Sequence, residues 1–204
     1  MQQKWDERYK ASDFAYGKEP NLFFQEWLPK FNPGTILMPA DGEGRNGVFA
    51  ARSGWEVTSF DLSIEGQSKA LQLAKENNVA LEYIVGDLDD LSFEKASFDA
   101  IGLIYAHFSA EKKSIFHRKL NDYLKPGGII ILEAFSKKHL YFNGLDPKVG
   151  GPKQLEELYS DAEILADFSN YEMLMLVEEE IFLNEGKYHI GKGAVIRFVG
   201  RKRY

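Results

Sequence analysis

Residues 36–61 read Ile36-Leu37-Met38-Pro39-Ala40-Asp41-Gly42-Glu43-Gly44-Arg45-Asn46-Gly47, run through a short helical pattern, and close on Trp55-Glu56-Val57-Thr58-Ser59-Phe60-Asp61. The order is apolar strand, glycine-rich turn, helix, second apolar strand, and an acid where that strand ends. In open α/β sheets this unit brings backbone close to a nucleoside-bearing cofactor while the acid accepts from ribose hydroxyls. Gly42, Gly44 and Gly47 satisfy G-x-G-x-x-G literally, a pattern that places a pyrophosphate on a helix N-terminus. Here Asp41 and Glu43 interleave with the glycines, and Arg45 offsets only one of them. Carboxylates beside a diphosphate repel it. Met38-Pro39-Ala40-Asp41 also separates the apolar run from Gly42, whereas a dinucleotide loop turns into its first glycine directly from the strand. The charges favour a cofactor with a cationic end and no phosphate. S-adenosylmethionine (SAM) combines an adenosine, a ribose diol, a sulfonium and an amino-acid head. A tight strand–helix turn without a ligand satisfies the same residues.

Further acids follow the same logic. Asp61-Leu62-Ser63 closes the run Val57 to Phe60, placing the Asp61 carboxylate where two ribose hydroxyls would donate to it. Ser63 also fits the N-cap of the next helix. A third run, Leu81 to Val85, ends in Gly86-Asp87-Leu88. Asp87 suits the adenine amino group and Leu88 the ring face, although an Asx turn accounts for Asp87 equally well.

Around this centre the chain alternates strand and helix patterns, which gives an α/β fold with a mainly parallel sheet covered on both faces. A helix is expected from Leu22 to Phe31, burying Phe24, Trp27, Leu28 and Phe31, and Asn32-Pro33-Gly34 stops it. Another follows Ser63, with Ile64, Leu71 and Ala74 on a stripe. Phe98 to Tyr105 is the fourth strand. Its helix spans about Ala110 to Leu124 with Ile115, Phe116, Leu120 and Tyr123 inward, ended by Pro126-Gly127-Gly128. Ile129 to Phe135 is apolar except for Glu133, as in a strand buried on both faces. Lys137 to Lys153 is rich in Gly and Pro and reads as a substrate-side loop. Ser160-x-x-Glu163 reads as a capping box. Met173 to Leu183 and Ala194 to Val199 form a terminal hairpin.

Five motifs stand in one register: Ala40-Asp41-Gly42-Glu43-Gly44-Arg45-Asn46, Asp61-Leu62-Ser63, Gly86-Asp87, Phe98-Asp99 and Leu124-Lys125-Pro126-Gly127-Gly128. In order and spacing they resemble class I SAM-dependent methyltransferases over nearly the whole chain. Gly-Glu-Gly-Arg-Asn, together with Glu185-Gly186-Lys187-Tyr188-His189, resembles the tellurite-resistance and thiopurine branch. The resemblance implies a Rossmann-like, doubly wound, seven-stranded sheet in three α/β/α layers, closed by a C-terminal antiparallel hairpin. It implies SAM as cofactor and Ala40, Asp41, Gly42, Gly44, Asn46, Asp61, Leu62, Ser63, Gly86, Asp87 and Leu88 around it. Two positions depart from the family pattern. Met38 stands where many relatives have an acid, and Ala40 where they have a glycine.

Candidate catalytic groups are fewer, because methyl transfer chiefly needs alignment and exclusion of water. His107, just past the fourth strand, is the candidate base or acceptor-positioning residue; capping the next helix is its alternative. Tyr105 lines the cofactor pocket or packs in the core. His189 is expected in a turn role, His117 exposed on a helix, and His139 on a surface loop. Tyr9, Phe14, Tyr16 and Gly17 form an aromatic arm that could close over the cofactor as a lid, residues 1–31 comprising this arm and the first helix.

The 204 residues suit one domain with a full core. With 25 Lys and Arg against 31 Asp and Glu, the net charge of −6 argues against nucleic acid as partner. The absence of cysteine removes disulfides, thiolate metal sites and a catalytic thiol. Four scattered histidines lack metal-ligand spacing. No secretory leader or membrane span is expected, which fits a cytoplasmic protein. The partner expected is a small-molecule methyl acceptor. Two other functions remain open: an NAD-dependent oxidoreductase using the literal G-x-G-x-x-G, for which no Tyr-x-x-x-Lys pair is visible, and a non-catalytic SAM-binding protein.

Overall fold

A computed structural model describes residues 2–204. Among them the chain forms one seven-stranded sheet: β1 Thr35–Pro39, β2 Glu56–Asp61, β3 Glu82–Val85, β4 Phe98–Ile104, β5 Leu124–Phe135, β6 Tyr171–Glu185 and β7 His189–Lys202. The order is β3-β2-β1-β4-β5-β7-β6. β1 to β5 run parallel, and β7 is antiparallel to both β5 and β6. The Rossmann-like sheet with its C-terminal hairpin is therefore as expected. Strand order reverses between β1 and β4, and ligands bind beyond the carboxyl ends of strands at such a switch point.

Strand periodicity explains the layers. Ile36, Met38, Ala100, Ile104, Ile129 and Ile131 face one cluster, which α2 (Leu22–Trp27) and α3 (Arg45–Arg52) cover. Leu37, Ile101, Leu103, Ile130 and Leu132 face the other, covered by α5 (Lys113–Tyr123) and α7 (Asp161–Asp167). Successive residues alternate faces, so continuous apolar runs are buried on both sides. Met38 lies in the first cluster; a Cβ on Gly102 would come within 2.6 Å of its sulfur. The missing side chain of Gly102 thus makes room for Met38 where the family pattern has an acid.

Several helices differ from the periodicity. α1 (Gln2–Tyr9) forms inside the arm, and only Tyr9 is buried on it. α2 ends at Trp27 and tightens into a 3₁₀ turn over Leu28–Lys30, with Pro29 at its start. Phe23, Phe24 and Leu28 are buried, while Trp27 and Phe31 are half-buried. On α4 (Ile64–Glu76), Ile64 and Leu71 are exposed; Gly66, Ala70, Leu73 and Ala74 face inward. Close approach decides this, since a Cβ on Gly66 would sit 2.8 Å from the Gly42 carbonyl oxygen. Small residues mark that face, which an apolar stripe does not reveal. α5 starts at Lys113 and leaves Ile115 exposed. Pro126-Gly127-Gly128 lies within β5. Residues 137–153 carry α6 (His139–Leu145) and a 3₁₀ turn, Pro147–Val149, in place of the expected loop. Phe142 and Val149 pack against Phe135 and Val195 there, so buried area outweighs the Gly and Pro content. Ser160 stands at the N-cap of α7 but bonds Glu163 (2.7 Å) rather than a backbone N–H.

Candidate active site

A cavity of about 300 Å³ opens beyond the carboxyl ends of β1, β2 and β4. Small-molecule sites have this size, on the order of 300–1,000 Å³. All the expected site residues line it except Gly44 and Ser63. Gly44 is the N-cap of α3 at φ 81°, and a Cβ there would overlap Ala70 of α4. A glycine is required there by the close approach of α4. Ser63 is the N-cap of α4: its Oγ accepts from Gly66 N (3.1 Å) and donates to Asp6 (2.6 Å).

The glycine turn is held by its own acids. Asp41 accepts from Ser59 Oγ (2.8 Å) and from Gly47 N (3.3 Å) in the first turn of α3. Burial raises its carboxyl to about 7 against those two bonds. Glu43 is buried, accepting from Ala15 N (2.7 Å) and pairing with Lys69 (2.7 Å). Arg45 gives its guanidinium to Glu185 (2.9 Å) and to the carbonyls of Tyr16 and Glu19. Asn46 Oδ1 receives Asn21 N (2.9 Å). The charges that the sequence sets side by side are thus spent on separate structural bonds. Ala40 takes φ 52°, the left-handed region that a glycine would enter without cost.

Asp61 ends β2 with its carboxylate on the cavity wall. It accepts from Gly42 N (3.1 Å) and Ser63 N (3.0 Å), and burial raises it to about 6 against those bonds. A carboxylate has about four acceptor positions, so capacity remains for a ligand's hydroxyls. Asp87 both lines the cavity and forms the turn bond to Asp89 N (3.3 Å), with Lys112 3.6 Å away. Leu62, Gly86 and Leu88 complete this wall.

The opposite wall is aromatic. Tyr105, at the end of β4, is held at φ 51°, and its buried hydroxyl has no hydrogen-bond partner among the described residues. A bulky residue at positive φ is a strained conformation of the kind that accompanies functional sites. Trp5, Arg8 and Tyr9 of α1, with Tyr16 and Gly17, also line the cavity. Arg8 donates to Tyr16 Oη (2.9 Å) and stacks over Tyr188 at 4.0 Å. Phe14, expected in the same arm, packs instead beside Val48 and Leu73.

The histidines depart most from expectation. His107 lines the cavity, but both ring nitrogens face backbone: Nδ1 donates to the Glu157 carbonyl (3.3 Å) and Nε2 accepts from Phe135 N (3.4 Å). Burial lowers it to about 3. His117 is fully buried, not exposed, with Nδ1 on Asp167 (2.7 Å) and Nε2 facing Tyr159 Oη (3.4 Å). His139 is fully buried, between Gly150 O (3.0 Å) and Ala194 N (3.3 Å). His189 is not confined to a turn. It begins β7, lines the cavity, and bonds Glu185 through Nδ1 (3.0 Å). Its only signal in the sequence was the Glu-Gly-x-Tyr-His string. Among the described residues, no group of three or more His, Asp or Glu could hold a metal, and no helix is long and apolar enough to cross a membrane.

Comparison with known proteins fits this architecture. Residues 36–128 match a family model described as a methyltransferase domain. Malonyl-[acyl-carrier protein] O-methyltransferase of Erwinia pyrifoliae is 33% identical over 116 residues, covering 55% of this chain and 43% of that protein. The chain spans about two fifths of the length of the first three curated relatives it matches. Among solved structures, one described by the conversion of a disulfide into a thioacetal in echinomycin biosynthesis superposes with TM-score 0.78 at 15% identity, covering 100% of this chain and 92% of that one. TehB of Haemophilus influenzae superposes with TM-score 0.72 at 14% identity, covering 99% and 67%. Residues 36–128 therefore match a methyltransferase domain, and the whole chain shares its fold with these solved structures.

Proposed function

We propose that this chain transfers the methyl group of SAM to a small-molecule acceptor held in the same cavity. The observation that carries the reading is the Asp61 carboxylate at the end of β2, lining a cavity that α1 also lines. Asp61 would hold the ribose diol. Asp87 and Leu88 would receive the adenine, and Gly42 with its neighbours the amino-acid end. Tyr105, which lines the same cavity, carries a buried hydroxyl beside the Glu133 carboxylate. When bound, SAM supplies a methyl carbon already activated by its sulfonium. The protein's part is to orient the acceptor and exclude water, which the aromatic lining of Trp5, Tyr9 and Tyr16 favours.

A dinucleotide fits these residues poorly. The Gly47 N–H, which a pyrophosphate would need at the start of α3, is already bonded to Asp41. Arg45 is engaged by Glu185 and two carbonyls. His107 positions the acceptor wall in this reading rather than acting as a base, because its Nε2 lone pair is engaged and burial disfavours its charged form. Calorimetry with SAM, its demethylated product and NAD tests the assignment, followed by turnover with labelled SAM. SAM and its product should bind in the micromolar range, about −7 to −8 kcal/mol, and NAD far more weakly. Equal or tighter NAD binding overturns the proposal.

A further inference from the structure

Building on the methyl-transfer reading, we propose that His189, held by Glu185, is the base that takes the acceptor's proton, and that the acceptor is a small hydroxyl or thiol compound with an apolar body. Of the four histidines, three have both ring nitrogens occupied: His107 and His139 by backbone groups, His117 by Asp167 and Tyr159. His189 alone has a nitrogen, Nε2, with no hydrogen-bond partner among the described residues; the residue lines the cavity, and Nε2 lies on the side of its ring nearest Gly150.

The carboxylate partner fixes which nitrogen carries the proton. Glu185 is buried, yet bonds from His189 and Arg45 and the Arg45 charge bring it down to about 2, so it stays ionised. An ionised carboxylate only accepts, so Nδ1 is N–H and Nε2 holds the lone pair of the neutral ring. A carboxylate behind an imidazole orients the ring and stabilises the imidazolium that forms. Glu185 and His189 pair directly at the end of the β6–β7 ladder, so the hairpin itself sets their spacing. Lys187 N bonds Ala15 O (2.8 Å), docking the hairpin tip on the segment that carries Tyr16.

The charged and titratable groups around the ring come from several elements. Glu185 lies on β6, Glu133 on β5 and Arg45 on α3, with His107, His139, Tyr16 and Tyr105 alongside. Burial lowers the His189 pKa, Glu185 and Glu133 oppose this, and Arg45 adds to it. The ring is therefore neutral near pH 7 and able to accept. Tyr16 and Tyr105 flank it with ring centroids 4.6 Å away, and Phe135 at 5.1 Å. These walls suit an apolar acceptor body better than a charged one.

In the step itself, the acceptor's O–H or S–H bond breaks and its proton passes to Nε2. The electron pair of that oxygen or sulfur forms the new bond to the methyl carbon, while the old carbon–sulfur pair returns to the donor sulfur. Positive charge moves from the sulfonium to the imidazolium beside Glu185, which then releases its proton to solvent.

The test compares wild type with His189→Gln and Glu185→Gln, each saturated with the demethylated product. Calorimetry first checks that product binding is kept; a wild type that binds neither SAM nor its product defeats the methyltransferase reading, and this proposal with it. Transfer from labelled SAM to 4-nitrophenol should fall about 10²–10⁴-fold in His189→Gln. Transfer to thiophenol, assayed where it is already ionised, should fall less than tenfold. Unchanged transfer to 4-nitrophenol in the folded variant overturns the proposal. Nitrogen-15 NMR of wild type decides the case independently, including when neither probe binds. Nδ1–H with bare Nε2 supports the dyad, and Nε2–H refutes it.

Discussion

Asp41→Asn should make the protein more stable, and increasingly so as pH rises. Asp41 is buried under the glycine turn with its carboxyl raised from 3.8 to about 7, chiefly by desolvation. A group raised in the folded state contributes stability that is fully present below its unfolded pKa and lost as pH climbs through the folded one. The gap is about three pH units, and at 1.36 kcal/mol each it amounts to about 4 kcal/mol lost by pH 8. Asparagine does not titrate, is nearly isosteric, and can accept from Gly47 N while donating to Ser59 Oγ. The nearby Asp61 carboxylate, also raised, is present in both proteins, so its own titration largely cancels in the comparison. For a chain of this length about 1 kcal/mol shifts Tm by roughly 2–4 °C, so the advantage at pH 8 should be on the order of 10 °C. Denaturant and thermal unfolding of both proteins from pH 4 to 8 measures it. The advantage should grow across that window and level off above pH 7. A difference that stays constant with pH, or shrinks as pH rises, refutes the reasoning. Saturating SAM at pH 8 should reduce the gap, because a cationic ligand near the turn favours the charged aspartate.

Other substitutions test separate parts of the site. Asp61→Ala should weaken SAM binding tenfold or more by calorimetry, on the basis of about 1.5–3 kcal/mol for hydrogen bonds to a charged group; unchanged affinity in a folded variant would mean the ribose lies elsewhere. Ala40→Gly should relieve the left-handed backbone at φ 52° and add about 1 kcal/mol of stability, read as a rise in Tm. His107→Ala should lower stability by about 1 kcal/mol through its two lost backbone bonds while leaving SAM affinity nearly intact, as thermal unfolding and calorimetry will show. In the pH profile of kcat/KM, the acidic limb set by His189 should fall below its ordinary value of about 6.5, because burial lowers its pKa and the neutral ring is the active form.

The amino-acid sequence by itself determined the sheet and the acids that line the cavity at its edge. Apolar runs ending in Asp41, Asp61 and Asp87 are local features: each acid follows its own strand, and chain order places the three at one edge of a parallel sheet. The same locality made Gly42 and Ala40 legible. Packing between distant segments decided the rest. Gly44 and Ser63 do not line the cavity; Gly44 lets α4 approach at Ala70 and Ser63 caps the start of α4, packing that depends on partners far along the chain. The helix over Gln2–Tyr9 lines the cavity with polar and aromatic residues that show no apolar stripe. The roles of the histidines depended most on tertiary structure. Single-sequence patterning cannot tell that His117 meets Asp167, that His139 lies between two backbone groups, or that the end of the β6–β7 hairpin folds back to set His189 beside Tyr16 and Tyr105. Strand identity is encoded in neighbouring residues, whereas the orientation of an imidazole is set by partners that only the folded chain brings together.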